Sequence, residues 1–119
     1  MNARLMIAGA CGAAGVCFAA FGAHALPTDM PENLRRAFST GADFQLLHAV
    51  VLAAIALAPA RSGLNIAFAL ILAGSLLFAL SLYGLALAGV SALGAVTPIG
   101  GGLTILGWLA LAVAGARKG

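Results

Sequence analysis

Long apolar runs alternate with short polar breaks along the chain, and the runs set its architecture. Leu5 to Thr28, Phe44 to Ala60 and Ser62 to Ala116 each lack Asp, Glu, Lys and Arg. A bilayer crossing takes about 20 apolar residues, so the first two runs fit one crossing each and the third is too long for one helix. It must fold back, and Gly89 to Pro98 is its one stretch with turn chemistry. The pattern predicts an all-α integral membrane protein, a four-transmembrane-helix bundle with spans at about residues 5–25, 41–59, 64–88 and 98–116 in a single domain.

The break between the first two spans has a pattern of its own. Pro27 ends the first span, and Asp29 precedes a segment from Met30 to Ser39. Met30, Leu34, Ala37 and Phe38 share one helical face while Glu32, Arg35 and Arg36 fall elsewhere, which predicts a short interfacial helix between helices 1 and 2. Pro31 suits its first turn. Thr40 then starts the second span, and Thr40 with Asp43 has capping-box spacing, the acid lying near the positive end of the helix dipole.

Composition agrees with membrane residence. Apolar residues make up 63% of the 119 and charged residues 8%, against roughly 45 to 50% and 25% in ordinary soluble domains. Arg4, the apolar run and Ala23-His24-Ala25 imitate a signal peptide with its small-x-small cleavage site, but the run is longer than a usual signal core and is expected to be a retained span. Four spans put Arg4, Arg61, Arg117 and Lys118 on one side and Arg35 and Arg36 on the other. This bias favours cytoplasmic termini. It also accounts for the net charge of +3, which gives no reason to propose nucleic acid as a partner.

Helix 1 is rich in small residues. Cys11, Gly15 and Ala19 recur every four positions, with Gly22 beyond them, a stripe that lets another helix approach closely, either inside the chain or in a second copy. Cys11 and Cys17 lie on different faces and cannot be bridged within one helix; small buried filler is the expected role. Helix 3 carries Gly74, Phe78 and Ser81 on one stripe and Tyr83 near its far end, where a tyrosine can serve as an interface anchor. Helix 4 opens with Thr97-Pro98, a cap residue and a first-turn proline, followed by a turn of Gly100, Gly101 and Gly102. Trp108 falls near mid-span, and its indole N–H should find a partner inside the bundle.

Threading the four spans brings His24, Gln45, His48, Tyr83 and Thr97 toward one membrane surface, with Gly100 and Gly101 beside them. Two readings follow: hydrogen bonds that hold helices together, or a one-sided polar pocket for an anion or lipid headgroup. No two carboxylates share a face, no Ser, His and acid spacing suggests a triad, and no Cys and His cluster suggests zinc, so neither a catalytic residue nor a metal site is expected. Haem between His24 and His48 is disfavoured by a depth mismatch of about 7 to 10 Å along the helices; no cofactor is expected.

Phe21-Gly22-Ala23-His24-Ala25-Leu26, Phe44-Gln45 with His48-Ala49, Ser81-Leu82-Tyr83 after Gly74, and Thr97-Pro98-Ile99-Gly100-Gly101 with Gly107-Trp108 stand in order along nearly the whole chain. In these four blocks it resembles the YgdD-like family of small bacterial inner-membrane proteins, which has relatives in eukaryotes. The resemblance implies four spans, no assigned activity, and His24, Gln45, His48, Tyr83, Thr97, Pro98, Gly100, Gly101 and Trp108 as motif residues. Phe44 departs from it, standing where an aromatic often carrying a hydroxyl is expected. The sequence reading is of a non-enzymatic structural or accessory protein that lies in the lipid bilayer and self-associates or docks on a larger membrane complex. The alternative is a small binding or transport protein using the polar pocket.

Overall fold

A computed structural model describes residues 1–117. Lys118, counted in the charge bias above, lies outside the described residues. Four helices dominate: α1 (Ala3–His24), α2 (Glu32–Leu57), α3 (Ser62–Ala88) and α4 (Thr97–Arg117), with a 3-10 turn at Ser91–Ala95 before α4. All four are long and apolar enough to cross a membrane.

Local chemistry explains most of the helix ends. Asn2 caps α1, its Oδ1 accepting the Leu5 N–H at 3.1 Å, while its Nδ2 donates to the Ala56 carbonyl near the end of α2 at 2.9 Å. Arg4 donates to the Ala58 carbonyl at 3.1 Å. The start of α1 thus supplies donors and a positive charge to the carbonyl end of α2, where both are favourable. Glu32 puts an acid in the first turn of α2. At the end of α3, Gly89 takes the left-handed conformation (φ 68°) that only glycine adopts without strain.

The second helix differs from expectation. Met30 to Ser39 was expected to form a separate interfacial helix, but Glu32 to Leu57 is one helix of 26 residues. Thr40 and Asp43 are therefore not its caps: they lie in its interior, where the backbone N–H groups already bond to the preceding turn. The amphipathic face meets protein rather than headgroups. Phe38 is fully buried in a cluster with Leu26, Ala42, Ala79, Tyr83 and Ala86, and Met30 and Leu34 pack against it. Burial of that face against α1 and α3 carries the helix through the composition change at Ser39 and Thr40.

A second apolar cluster, nearer the termini, holds Ala8, Leu52, Ile55, Ala56, Ala67, Phe68 and Ile71. Gln45 and His48 lie on α2 between the two clusters. Because α2 begins at Glu32, these two residues stand near the middle of the helix, deeper than a start at Gly41 implied.

The helices pack in sequence order, α1 on α2, α2 on α3 and α3 on α4. Among the described residues no Cα of α1 comes within 8 Å of α3 or α4, nor any of α2 within 8 Å of α4. The molecule is a row, 53 × 28 × 17 Å, rather than a closed bundle. Two glycines set the closest approach, between α3 and α4. A Cβ on Gly74 would stand 2.5 Å from the Thr104 backbone N, and one on Gly100 would overlap the backbone of Phe78. Gly100 to Gly102 lie within α4 itself, not in a turn before it.

Candidate functional site

The buried polar side chains form a chain of contacts through the middle of the row. Gly15 carries no side chain to hold α2 away from α1, and Gln45 of α2 reaches across to the turn below it. The Gln45 Nε2 donates to the Cys11 carbonyl at 3.0 Å, which has a second lone pair beyond the one used by its own helix. Its Oε1 accepts from the Tyr83 hydroxyl of α3 at 2.7 Å. One amide thus ties three helices, with Gln45 3% and Tyr83 4% exposed. Tyr83 is no interface anchor. Its ring stacks on Phe18 at 4.1 Å and leans on Phe38 at 5.0 Å.

His48, one turn further along α2, is also 3% exposed. Its Nδ1 stands 2.8 Å from the Phe44 carbonyl. A carbonyl only accepts, so Nδ1 carries the proton and Nε2 keeps a lone pair. That lone pair receives the indole N–H of Trp108 at 3.1 Å, the partner that the mid-span tryptophan required. Phe44, on the same helix face, stacks on Phe78 at 4.0 Å.

A third group lies at the start of α4. The Ser81 hydroxyl donates to the Phe78 carbonyl at 2.8 Å and meets the Thr97 hydroxyl at 2.6 Å. Each hydroxyl has one proton, so Thr97 donates to Ser81, which lies closer than its other acceptor, the Leu93 carbonyl at 3.3 Å. Thr97 therefore locks α4 to α3 through its side chain. Thr104, which sequence reasoning passed over, turns its hydroxyl to the Gly100 carbonyl at 2.9 Å, beside Gly74. A small hydroxyl residue one turn after Gly100 was the available signal.

The expected residues thus divide. Gln45, His48, Tyr83 and Trp108 are joined by hydrogen bonds or by adjacency on α2, and Thr97 and Gly100 belong to the α3/α4 contact. Gly15 faces Leu46 and Gln45, and Gly22 faces Phe38. Ala19 lies half-buried beside α2, and Gly101 approaches only the Phe78 ring, at 3.7 Å. His24 stands apart, exposed in the last turn of α1, where a basic group suits the negative end of the dipole. No buried side-chain nitrogen or oxygen among the described residues lacks a hydrogen-bond partner. Among those residues no three His, Cys, Asp or Glu side chains are grouped to share a metal ion.

Residues 18–101 match a family described as "Protein of unknown function (DUF423)". A UPF0382 membrane protein of Staphylococcus epidermidis is 39% identical over 97 residues, covering 80% of each chain. The UPF0382 membrane protein YwdK of Bacillus subtilis is 38% identical over 102 residues, 82% of this chain and 83% of its own. A UPF0382 membrane protein of Haemophilus influenzae is 34% identical over 99 residues, 82% of this chain and 80% of its own. No solved structure matches. With the match spanning both the α2 and α3 segments that hold the Gln45 and Tyr83 pair, the chain belongs to the DUF423 (UPF0382) family of small bacterial membrane proteins of unknown function.

Proposed function

We propose that this protein is a non-enzymatic accessory or structural component of the bacterial inner membrane, with cytoplasmic termini, that associates with itself or with a larger membrane complex. The observation that carries this reading is the closure of the polar network: among the described residues every buried side-chain nitrogen and oxygen has a partner, and the bonds of Gln45, Tyr83, His48 and Ser81 hold one helix to another. A substrate needs convergent groups left open to it, and a helix clamp does not.

The outer helices are the surfaces available for association. The Cys11, Gly15 and Ala19 stripe is taken up against α2, which moves self-association to the other side of α1, where Gly9, Ala13 and Cys17 are exposed, and to the lipid-facing side of α4. The four motif blocks further support placing the chain among the YgdD-like proteins. Cys17, expected as buried filler, is instead exposed and free on the face of α1 turned away from α2 and offers the test. Bismaleimide crosslinking in native membranes should give a discrete dimer or heteromeric band that disappears in Cys17→Ser, and native mass spectrometry from mild detergent should show the same subunit count. A strictly monomeric species with no partner recovered by either measurement overturns the proposal.

A further inference from the structure

A groove of about 420 Å³ runs between α1 and the first turns of α2, away from the Gln45 and His48 network. Its lining changes in a fixed order along α2. Glu32 comes first, then Arg35 and Arg36, then Ser39, then Asp43, with Phe18 of α1 among the apolar residues of the opposite wall. At 1.5 Å per residue the polar part is about 16 Å long. Gly22 faces Phe38 and Gly15 faces Gln45, so Asp43 lies level with the α1 residues between those two glycines, while Glu32 lies beyond the end of α1 at His24. With the end of α1 at the membrane surface, the mouth of the groove opens there and its floor lies about 10 Å deeper along the helix.

We propose that this groove holds a zwitterionic glycerophospholipid with a primary-amine headgroup. The order of side chains from the mouth inward, acid, two guanidinium groups and hydroxyl, is the order of ammonium, phosphate and ester in such a lipid, with Asp43 and the ring of Phe18 together at the floor. Arg35 donates to the Pro27 carbonyl at 2.7 Å, which holds its guanidinium at the mouth. Guanidinium groups pair with phosphate oxygens in a fork geometry that ammonium side chains do not match. The lining holds two carboxylates and two guanidinium groups, so it is formally neutral. That balance suits a zwitterion and opposes a headgroup of net negative charge, and Asp43 below the phosphate level strengthens the opposition. The Glu32 carboxylate accepts N–H bonds from a primary ammonium; a quaternary ammonium has none to give. The lipid site is independent of whether the protein self-associates.

The experiment uses the full chain in mild detergent, mixed with equimolar phosphatidylethanolamine, phosphatidylglycerol and phosphatidylcholine of matched acyl chains, with retained lipids counted by native mass spectrometry. Phosphatidylethanolamine is expected to be retained about threefold or more over either competitor, the scale of one partly exposed ion pair. Arg36→Gln should lower retention of both ethanolamine and choline lipids. Glu32→Gln should remove the preference for ethanolamine over choline, and Arg61→Gln at the other end of the molecule should change nothing. Helical content by circular dichroism accompanies each variant; if one loses it, the preference of the unaltered chain decides alone. Equal retention of the three lipids, preference for phosphatidylglycerol, or unchanged retention in well-folded Arg36→Gln and Glu32→Gln would overturn the proposal.

Discussion

Trp108 of α4 donates its indole N–H to Nε2 of His48 on α2, at 3.1 Å, and so joins two helices whose backbones are not neighbours. Together with the Phe18 and Tyr83 stack, which links α1 to α3, it ties together helices that the row leaves apart. Because Nδ1 of His48 is held by its own helix, the imidazole has no nitrogen left for another role.

Trp108→Phe keeps an aromatic ring, a smaller one, and removes this bond. The bond itself is expected to contribute about 0.6 kcal/mol, the mean coupling for interhelical hydrogen bonds in membranes, and no more than about 1.7 kcal/mol. A double-mutant cycle of Trp108→Phe with His48→Ala, read as unfolding free energy in detergent, should return a coupling of that size. Strict additivity would show that the bond contributes nothing.

Gln45 and Tyr83 test the asymmetry between breaking and removing a buried pair. Tyr83→Phe alone leaves the Gln45 oxygen without a donor and should destabilise by about 1 kcal/mol. Adding Gln45→Leu to it should restore part of that loss, because no polar atom then remains unpaired on either side chain. Equilibrium unfolding of the two single variants and the pair measures this directly.

The α3/α4 contact should discriminate between adjacent glycines. Gly100→Ala places a methyl against the Phe78 backbone and should lower stability by about 1 to 3 kcal/mol, the usual range for overpacking. Gly101→Ala meets only the Phe78 ring at 3.7 Å, an ordinary contact, and relieves backbone entropy besides. Thermal denaturation followed by light scattering should separate the two clearly.

Helix starts give a fourth comparison. Asn2→Ala removes the cap of α1 and its bond to Ala56, with an expected loss of about 1 kcal/mol. Thr40→Ala, in the exposed interior of α2, should stay within about 0.5 kcal/mol of the unaltered chain. The reverse ranking would mean that α2 begins at Thr40 after all.

Much of this architecture was legible in the chain, because charge-free runs report span number directly and a Thr-Pro or Gly at a helix end has a local cause. The start of α2 was not. Phe38 and Leu34 produce the same amphipathic pattern whether the face rests on headgroups or on Tyr83, and only the position of α3 decides between them. That one boundary shifted the apparent depth of His48 and hid Trp108 as its partner, although the need of the indole for a partner was plain. His24 shows the opposite case. It stands in a motif block beside Gly22, yet it ends a helix in the open, while the block's buried member is Leu26 and its half-buried glycine makes room for Phe38.

The row has a consequence for how the protein is made. Each helix after the first packs on the one before it, so the α1/α2 hairpin can pack while later residues are still being synthesised, and every added helix docks on an edge already present. Contacts this local favour rapid folding with few long loops to close. The late steps are then the two aromatic bridges: arrival of α3 lets Phe18 cover Tyr83, and arrival of α4 brings Trp108 to the imidazole that has been waiting on α2.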